Sequence, residues 1–139
     1  MGTRRQAREH ALKILYSIDV GGQSVEEAIR NYWALYEPGA EGREFAELLV
    51  RGTAGRLEEI DGSLQRVSMH WRLTRMNSVD RNILRLAVFE LFHVGDVPKR
   101  VTLNEAIEIA KRYGAADSSA FVNGILDKLA TEADENAGD

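Results

Sequence analysis

The chain has 139 residues and no cysteine. That excludes disulfides and cysteine-ligated zinc, and it fits a reducing compartment. Proline is scarce: only Pro38 and Pro98 occur, both in candidate loops. No apolar run approaches the roughly 18 residues that a membrane span requires. The polar, basic N-terminus has no secretory-signal character, so a soluble, cytoplasmic protein is expected. There are three histidines, His10, His70 and His93, and none stands in HExxH-type metal spacing. A phosphate loop and a GxSxG nucleophile elbow are both missing. Glu58, Glu59 and Asp61 point to different sides of a helix and form no acid/base pair. The chain reads as a binding protein and not an enzyme, with no metal or cofactor.

What is present suits one globular domain: 44% hydrophobic and 29% charged residues. The net charge of −4 speaks against a polyanionic partner for the molecule as a whole. Its distribution differs. Within residues 1–13, Arg4, Arg5, Arg8 and Lys13 stand against Glu9 alone, a local +3, which leaves −7 for the rest. Screening confines each charge to about 8–10 Å at physiological salt, so a basic patch on an acidic protein can still bind a polyanion. Residues 132–139 hold four acids and no base. They read as a fraying acidic tail behind a domain spanning residues 1–131.

Helical periodicity recurs along the chain and no strand-like alternation is sustained. A first helix over Thr3 to Asp19 places Ala7, Ala11, Ile14, Leu15 and Ile18 on one face. Gly21 and Gly22 end it, and Ser24 with Glu27 form a capping box for a second helix. Glu37-Pro38-Gly39 breaks the chain. A long third helix starts near Gly42, with Gly52, Gly55 and Gly62 as places for a kink or break. Gly52 and Gly55 also suggest close helix packing. After a turn around Trp71, Ser78 is expected to cap a helix that is apolar around most of its circumference. That marks it as central. A capping box at Thr102 and Glu105 opens the next helix, which Gly114 ends. Asp117 or Ser118 caps the last. An all-α fold of about seven helices is expected.

Arg4, Arg5 and Arg8 share one helical surface in the first turns, where the macrodipole disfavours cations by about 0.3–1 kcal/mol each. That conflict points to a polyanionic partner, and arginine's planar fork suits phosphate.

Four blocks then occur in order: RRQAREHALKILYS at 4–17, VDRNILRLAVFEL at 79–91, DVPKRVTLNEAIEIAKRYG at 96–114 and DSSAFVNGILDK at 117–128. Together they resemble the bacterial transcription antitermination factor family NusB, from Arg4 to about Leu129 and least closely over 22–70. The resemblance implies a single compact domain of two small helical bundles packed side by side, with no cofactor. It implies binding to the boxA element of nascent RNA, notably in ribosomal RNA operons. NusE, a small-subunit ribosomal protein, would bind with it, and the complex would join RNA polymerase with NusA and NusG. By position, Arg4, Arg5 and Arg8 match the family's RNA-contacting arginine motif, although Gln6 stands where some relatives have another arginine. Asp117, Ser118, Phe121 and Asn123 match a block near the RNA-binding region. Tyr16, with Asp80 and Arg81, matches positions expected near NusE. The resemblance leaves a homodimer open for the free protein, which would hide the arginine face.

The residues themselves leave alternatives. Phe121 beside Asn123 suits a stacking platform for unpaired bases, or else Phe121 is core. Asp117 suits a helix N-cap better than a phosphate contact. Tyr16 fits core packing and a partner surface equally. A helical protein-interaction module without specific RNA binding is the competing function. A third class, an RNA methyltransferase with a NusB-like leading domain, needs a cofactor domain for which the residues after the last helix leave no room.

Overall fold

The computed structural model describes residues 3–36 and 39–137, with side chains at the C-terminal end described through Asp134. Glu37 and Pro38, the expected break, lie outside the described residues. Seven α-helices and one short 3-10 turn are described: α1 (Thr3–Gly21), α2 (Val25–Trp33), α3 (Arg43–Gly55), α4 (Leu57–Val67), the turn Leu73–Arg75, α5 (Ser78–His93), α6 (Lys99–Tyr113) and α7 (Ser118–Ala137). Helices α1 to α3 pack as one small bundle and α4 to α7 as another. Helix α5 touches α1, α3, α4, α6 and α7. It is the central helix, as its apolar circumference predicts, and one continuous core runs through both bundles.

Local signals account for several boundaries. The Ser24–Glu27 capping box forms in both directions, at 3.1 Å each way. The expected long third helix breaks at Arg56, whose backbone (φ −121°, ψ 24°) separates α3 from α4 directly after Gly55. Two boundary expectations fail. Asn77, not Ser78, caps α5, its Oδ1 accepting from the amides of Val79 and Asp80. Helix α6 begins at Lys99 behind Pro98, whose fixed φ is already helical, so Thr102 and Glu105 lie inside the helix. Their side chains reach other helices instead of the local backbone. Helix α7 runs to Ala137, and in its last turns Glu132 meets Arg66 (2.5 Å) and Asp134 meets Lys99.

A polar network locks the C-terminal end of α1 to α5. Asp19 accepts from Arg81 Nε and Asn82 Nδ2, both at 2.9 Å, and Arg85 approaches at 3.3 Å. Burial alone would raise the Asp19 carboxyl, but hydrogen bonds from Asn82 and Arg81 and the nearby cations outweigh it and hold it below the usual range.

Gly52 is where α3 meets α5: a Cβ there would lie within the Phe89 ring, whereas a Cβ at Gly62 meets nothing within 4 Å. Gly52→Ala should therefore destabilise the protein by about 1–3 kcal/mol through overpacking. Gly62→Ala should stabilise it by about 0.5–1 kcal/mol. Urea denaturation of the two variants checks this; equal effects would contradict the close α3–α5 contact.

Candidate nucleic-acid interface

The three arginines of α1 do not form one free cluster. Arg8 is 5% exposed. Its Nε and Nη2 donate to the two carboxylate oxygens of Glu90 on α5, both at 2.7 Å. Glu90 is 2% exposed and also accepts from Thr102 Oγ1 at 2.9 Å. The third helix of the site adds Glu105 Oε1, 3.5 Å from Arg8 Nη1. Arg8 was expected to face RNA, and the structure withdraws it from the surface. The reason was present in the helical spacing: Arg8 lies three residues before Ala11 and seven before Leu15, on the edge of the buried face. A lone glutamate in the apolar α5 run was the second sign, since a buried carboxylate requires a cation.

Arg4 and Arg5 remain at the surface, each held by an acid. Arg5 makes a two-point pair with Glu105, at 2.9 and 2.5 Å. The hydrogen bond raises the arginine and holds the Glu105 carboxyl below its ordinary range. Arg4 donates to both oxygens of Asp96 (3.4 and 3.1 Å), which lowers that carboxyl too, and its guanidinium lies 4.3 Å from the Phe45 ring centre. An open groove of about 510 Å³ follows this edge, lined by the three arginines, Asp96, Val97, Pro98, Val101 and Glu105. The face read as basic from sequence is thus close to neutral in the free protein. Exposed ion pairs of this kind are worth only about 0–1 kcal/mol, so a phosphate can displace the acid. Asp96, Glu105 and Glu90 were not identified from the sequence as partners of these arginines.

The 117–123 block divides similarly. The Asp117 carbonyl accepts from the Phe121 amide at 3.2 Å, which puts Asp117 at the start of α7 with an exposed side chain. Ser118 is fully buried. Its Oγ accepts from the Ala115 amide at 2.8 Å, and it packs so closely on Gly114 that a Cβ there would come within 2.5 Å. Ser118 therefore closes the α6–α7 turn. Phe121 is half-buried, packed on the core with its ring set against Trp71, centroids 6.0 Å apart and planes at 82°. Asn123 is exposed but lies about 200° around the helix from Phe121.

Of the residues expected near a protein partner, Tyr16 is 41% exposed on α1, one turn from Asp19. Arg81 is mostly buried and occupied: besides Asp19 it donates to the carbonyls of Leu73 and Met76 and to Ser78 Oγ, at 3.0, 3.1 and 3.2 Å. Asp80 is 8% exposed and its Oδ1 has no hydrogen-bond partner. Tyr16 and Arg81 are brought to one region through Asp19, with Asp80 turned inward. Among the described residues no group of His, Asp or Glu could hold a metal ion, and no helix is long and apolar enough to cross a membrane.

A sequence model of the NusB family matches residues 5–131. The transcription antitermination protein NusB of Anaeromyxobacter dehalogenans strain 2CP-1 is 50% identical over 129 residues, 92% of this chain and 90% of that protein. Among solved structures, NusB of T. maritima is 40% identical, with a TM-score of 0.84 over 93% of this chain and 91% of that one. A chain in the crystal structure of antitermination factors NusB and NusE in complex with dsRNA is 27% identical, with a TM-score of 0.84 over 94% and 97% of the two chains.

The division of the arginines has a direct consequence for stability. Arg8→Ala should lower the unfolding free energy by about 3–5 kcal/mol, because it leaves Glu90 buried and unpaired. Arg4→Ala should cost less than about 1 kcal/mol. Urea denaturation at neutral pH measures both, and comparable losses would contradict the assignment.

Proposed function

The chain belongs to the NusB family, and we propose that it is an antitermination factor that binds boxA RNA of ribosomal RNA operons together with NusE. The proteins it is similar to are named as antitermination proteins and not as enzymes. In this reading the RNA-bound protein and NusE join RNA polymerase with NusA and NusG, in the cytoplasm where the transcript emerges. No cofactor takes part. The observation that carries the reading is the state of Arg4 and Arg5: surface guanidiniums on one edge of α1, each held by a single replaceable carboxylate.

RNA phosphates exchange with Asp96 and Glu105 for these two arginines, while Arg8 fixes the helix that presents them. Two phosphates supply affinity and register but no sequence information. Base recognition falls to the exposed part of the 117–123 block, beside the half-buried Phe121. Tyr16, an amphipathic ring at a surface, suits the NusE contact, and the network of Arg81 and Asp80 supports that region from below. A homodimer is not needed to hide the arginines, since Asp96 and Glu105 already cover them within one chain. The same neutralised face also favours a second reading, a protein-interaction module without specific RNA binding.

Fluorescence anisotropy of labelled boxA RNA against a scrambled control separates the two readings. Selective binding is expected, strengthened by NusE. Asp96→Asn/Glu105→Gln should tighten it by roughly three- to tenfold, the equivalent of breaking two exposed ion pairs. Arg4→Ala/Arg5→Ala should flatten the slope of log K against log salt by about 1.4. Absence of selective binding with and without NusE would leave only the interaction module.

A further inference from the structure

The segment between α4 and α5 carries a feature that the arginine groove does not use. Trp71 is 58% exposed and Met69 is 77% exposed, whereas the other tryptophan, Trp33, is 5% exposed. The exposure of Trp71 does not come from a loose loop. Its amide donates to the Ser68 carbonyl at 2.8 Å. Its own carbonyl accepts from Gln65 Nε2 at 3.0 Å and Ser68 Oγ at 3.3 Å. Gln65 also accepts from the Leu73 amide at 3.1 Å, and Leu73 and Met76 are buried anchors on the far side. A large aromatic ring is thus held at the surface on a pinned backbone, edge to face with Phe121.

Its surroundings are basic. Residues 65–77 contain Arg66, Arg72 and Arg75 and no acid. Arg66 pairs with Glu132, but Arg72 and Arg75 are exposed and make no ion pair among the described residues. That contrasts with Arg4, Arg5 and Arg8, each of which faces a carboxylate. On α7, Gly124 follows Phe121 by one turn on the same side, and a Cβ there would meet nothing within 4 Å. Glycine inside a helix is destabilising, and no packing requires it at this position. The effect is an open helix surface beside Phe121 where another backbone can approach closely.

We propose that Trp71, braced by Phe121 and flanked by Arg72 and Arg75, is a stacking platform for an unpaired RNA base, a second contact beyond the arginine groove. The inference rests on the RNA-binding reading above. Single-stranded RNA is bound by aromatic faces that stack bases and by cations that follow the backbone, and this patch supplies both with no competing acid in its own segment. The chain links the two regions through α6: Glu105 in the middle of that helix and Gly114 at its end, where the turn into α7 and Phe121 begins, are about 14 Å apart along the helix.

The test uses the Trp33→Phe protein, in which Trp71 is the sole tryptophan. Labelled single-stranded boxA RNA is titrated while label anisotropy and Trp71 emission are read together. Quenching of Trp71 in step with binding is expected. Trp71→Ala should weaken binding by about tenfold, the loss of one base–aromatic stack, and Trp71→Phe should recover most of it. Arg72→Gln/Arg75→Gln should flatten the salt dependence, and circular dichroism confirms that each variant remains folded. Intact binding with unchanged Trp71 emission and unchanged affinity in Trp71→Ala overturns the platform and leaves the RNA-binding reading standing. So does a Trp71→Ala protein that keeps its RNA affinity but loses NusE, which makes the patch a protein contact. No RNA binding by the parent protein, with or without NusE, overturns both.

Discussion

The Arg8–Glu90 ion pair is the constraint on which the rest of this structure depends. It joins the N-terminal bundle to the central helix, and through Thr102 and Glu105 it reaches α6. Two charges taken out of water are tolerated only when their hydrogen-bonding capacity is met, and here both glutamate oxygens and three guanidinium nitrogens find partners. An apolar pair could slide; a two-point pair at 2.7 Å defines one register of α1 over α5. Arg4 is one turn before Arg8 and Arg5 is three residues before it. The same register therefore decides that Arg4 meets the Asp96 loop and Arg5 meets Glu105.

This arrangement explains how three arginines on one helix of an acidic protein leave no free basic cluster on α1. In the free protein the two surface arginines are covered by acids, which limits non-specific attraction to any polyphosphate. Glu105 is held ionised by its hydrogen bond from Arg5. Its carboxyl lies below the ordinary range, so the pair persists throughout the neutral region. The stabilisation it contributes is present above the usual carboxylate pKa and is lost only as pH falls through the lowered value.

Much of the fold was legible in the sequence. Periodicity located the helices, the all-apolar run identified α5 as central, and Ser24–Glu27 was a true capping box because both side chains act on the adjacent backbone. Thr102 and Glu105 had the same spacing and no such role, since their side chains bond to Glu90, Arg5 and Arg8 from distant parts of the chain. Spacing cannot distinguish a local from a long-range partner. The burial of Arg8 was not legible for the same reason: three arginines at helical spacing look equivalent until the buried partner of one is known. Gly52 was readable as a packing glycine, although the Phe89 ring that requires it was not. Trp71 passed as an ordinary turn residue, because the exposure of an aromatic is decided by what packs against it and not by its neighbours in sequence.

The division of the arginines into one buried strut and two exchangeable ligands is tested most directly by NMR of the arginine Nε–H groups during an RNA titration. The Arg8 Nε–H should be protected from solvent exchange and keep its shift throughout, while those of Arg4 and Arg5 move as RNA replaces their carboxylates. Movement or exposure of the Arg8 signal on adding RNA would contradict the account, because it would mean that the Glu90 pair opens to serve the ligand.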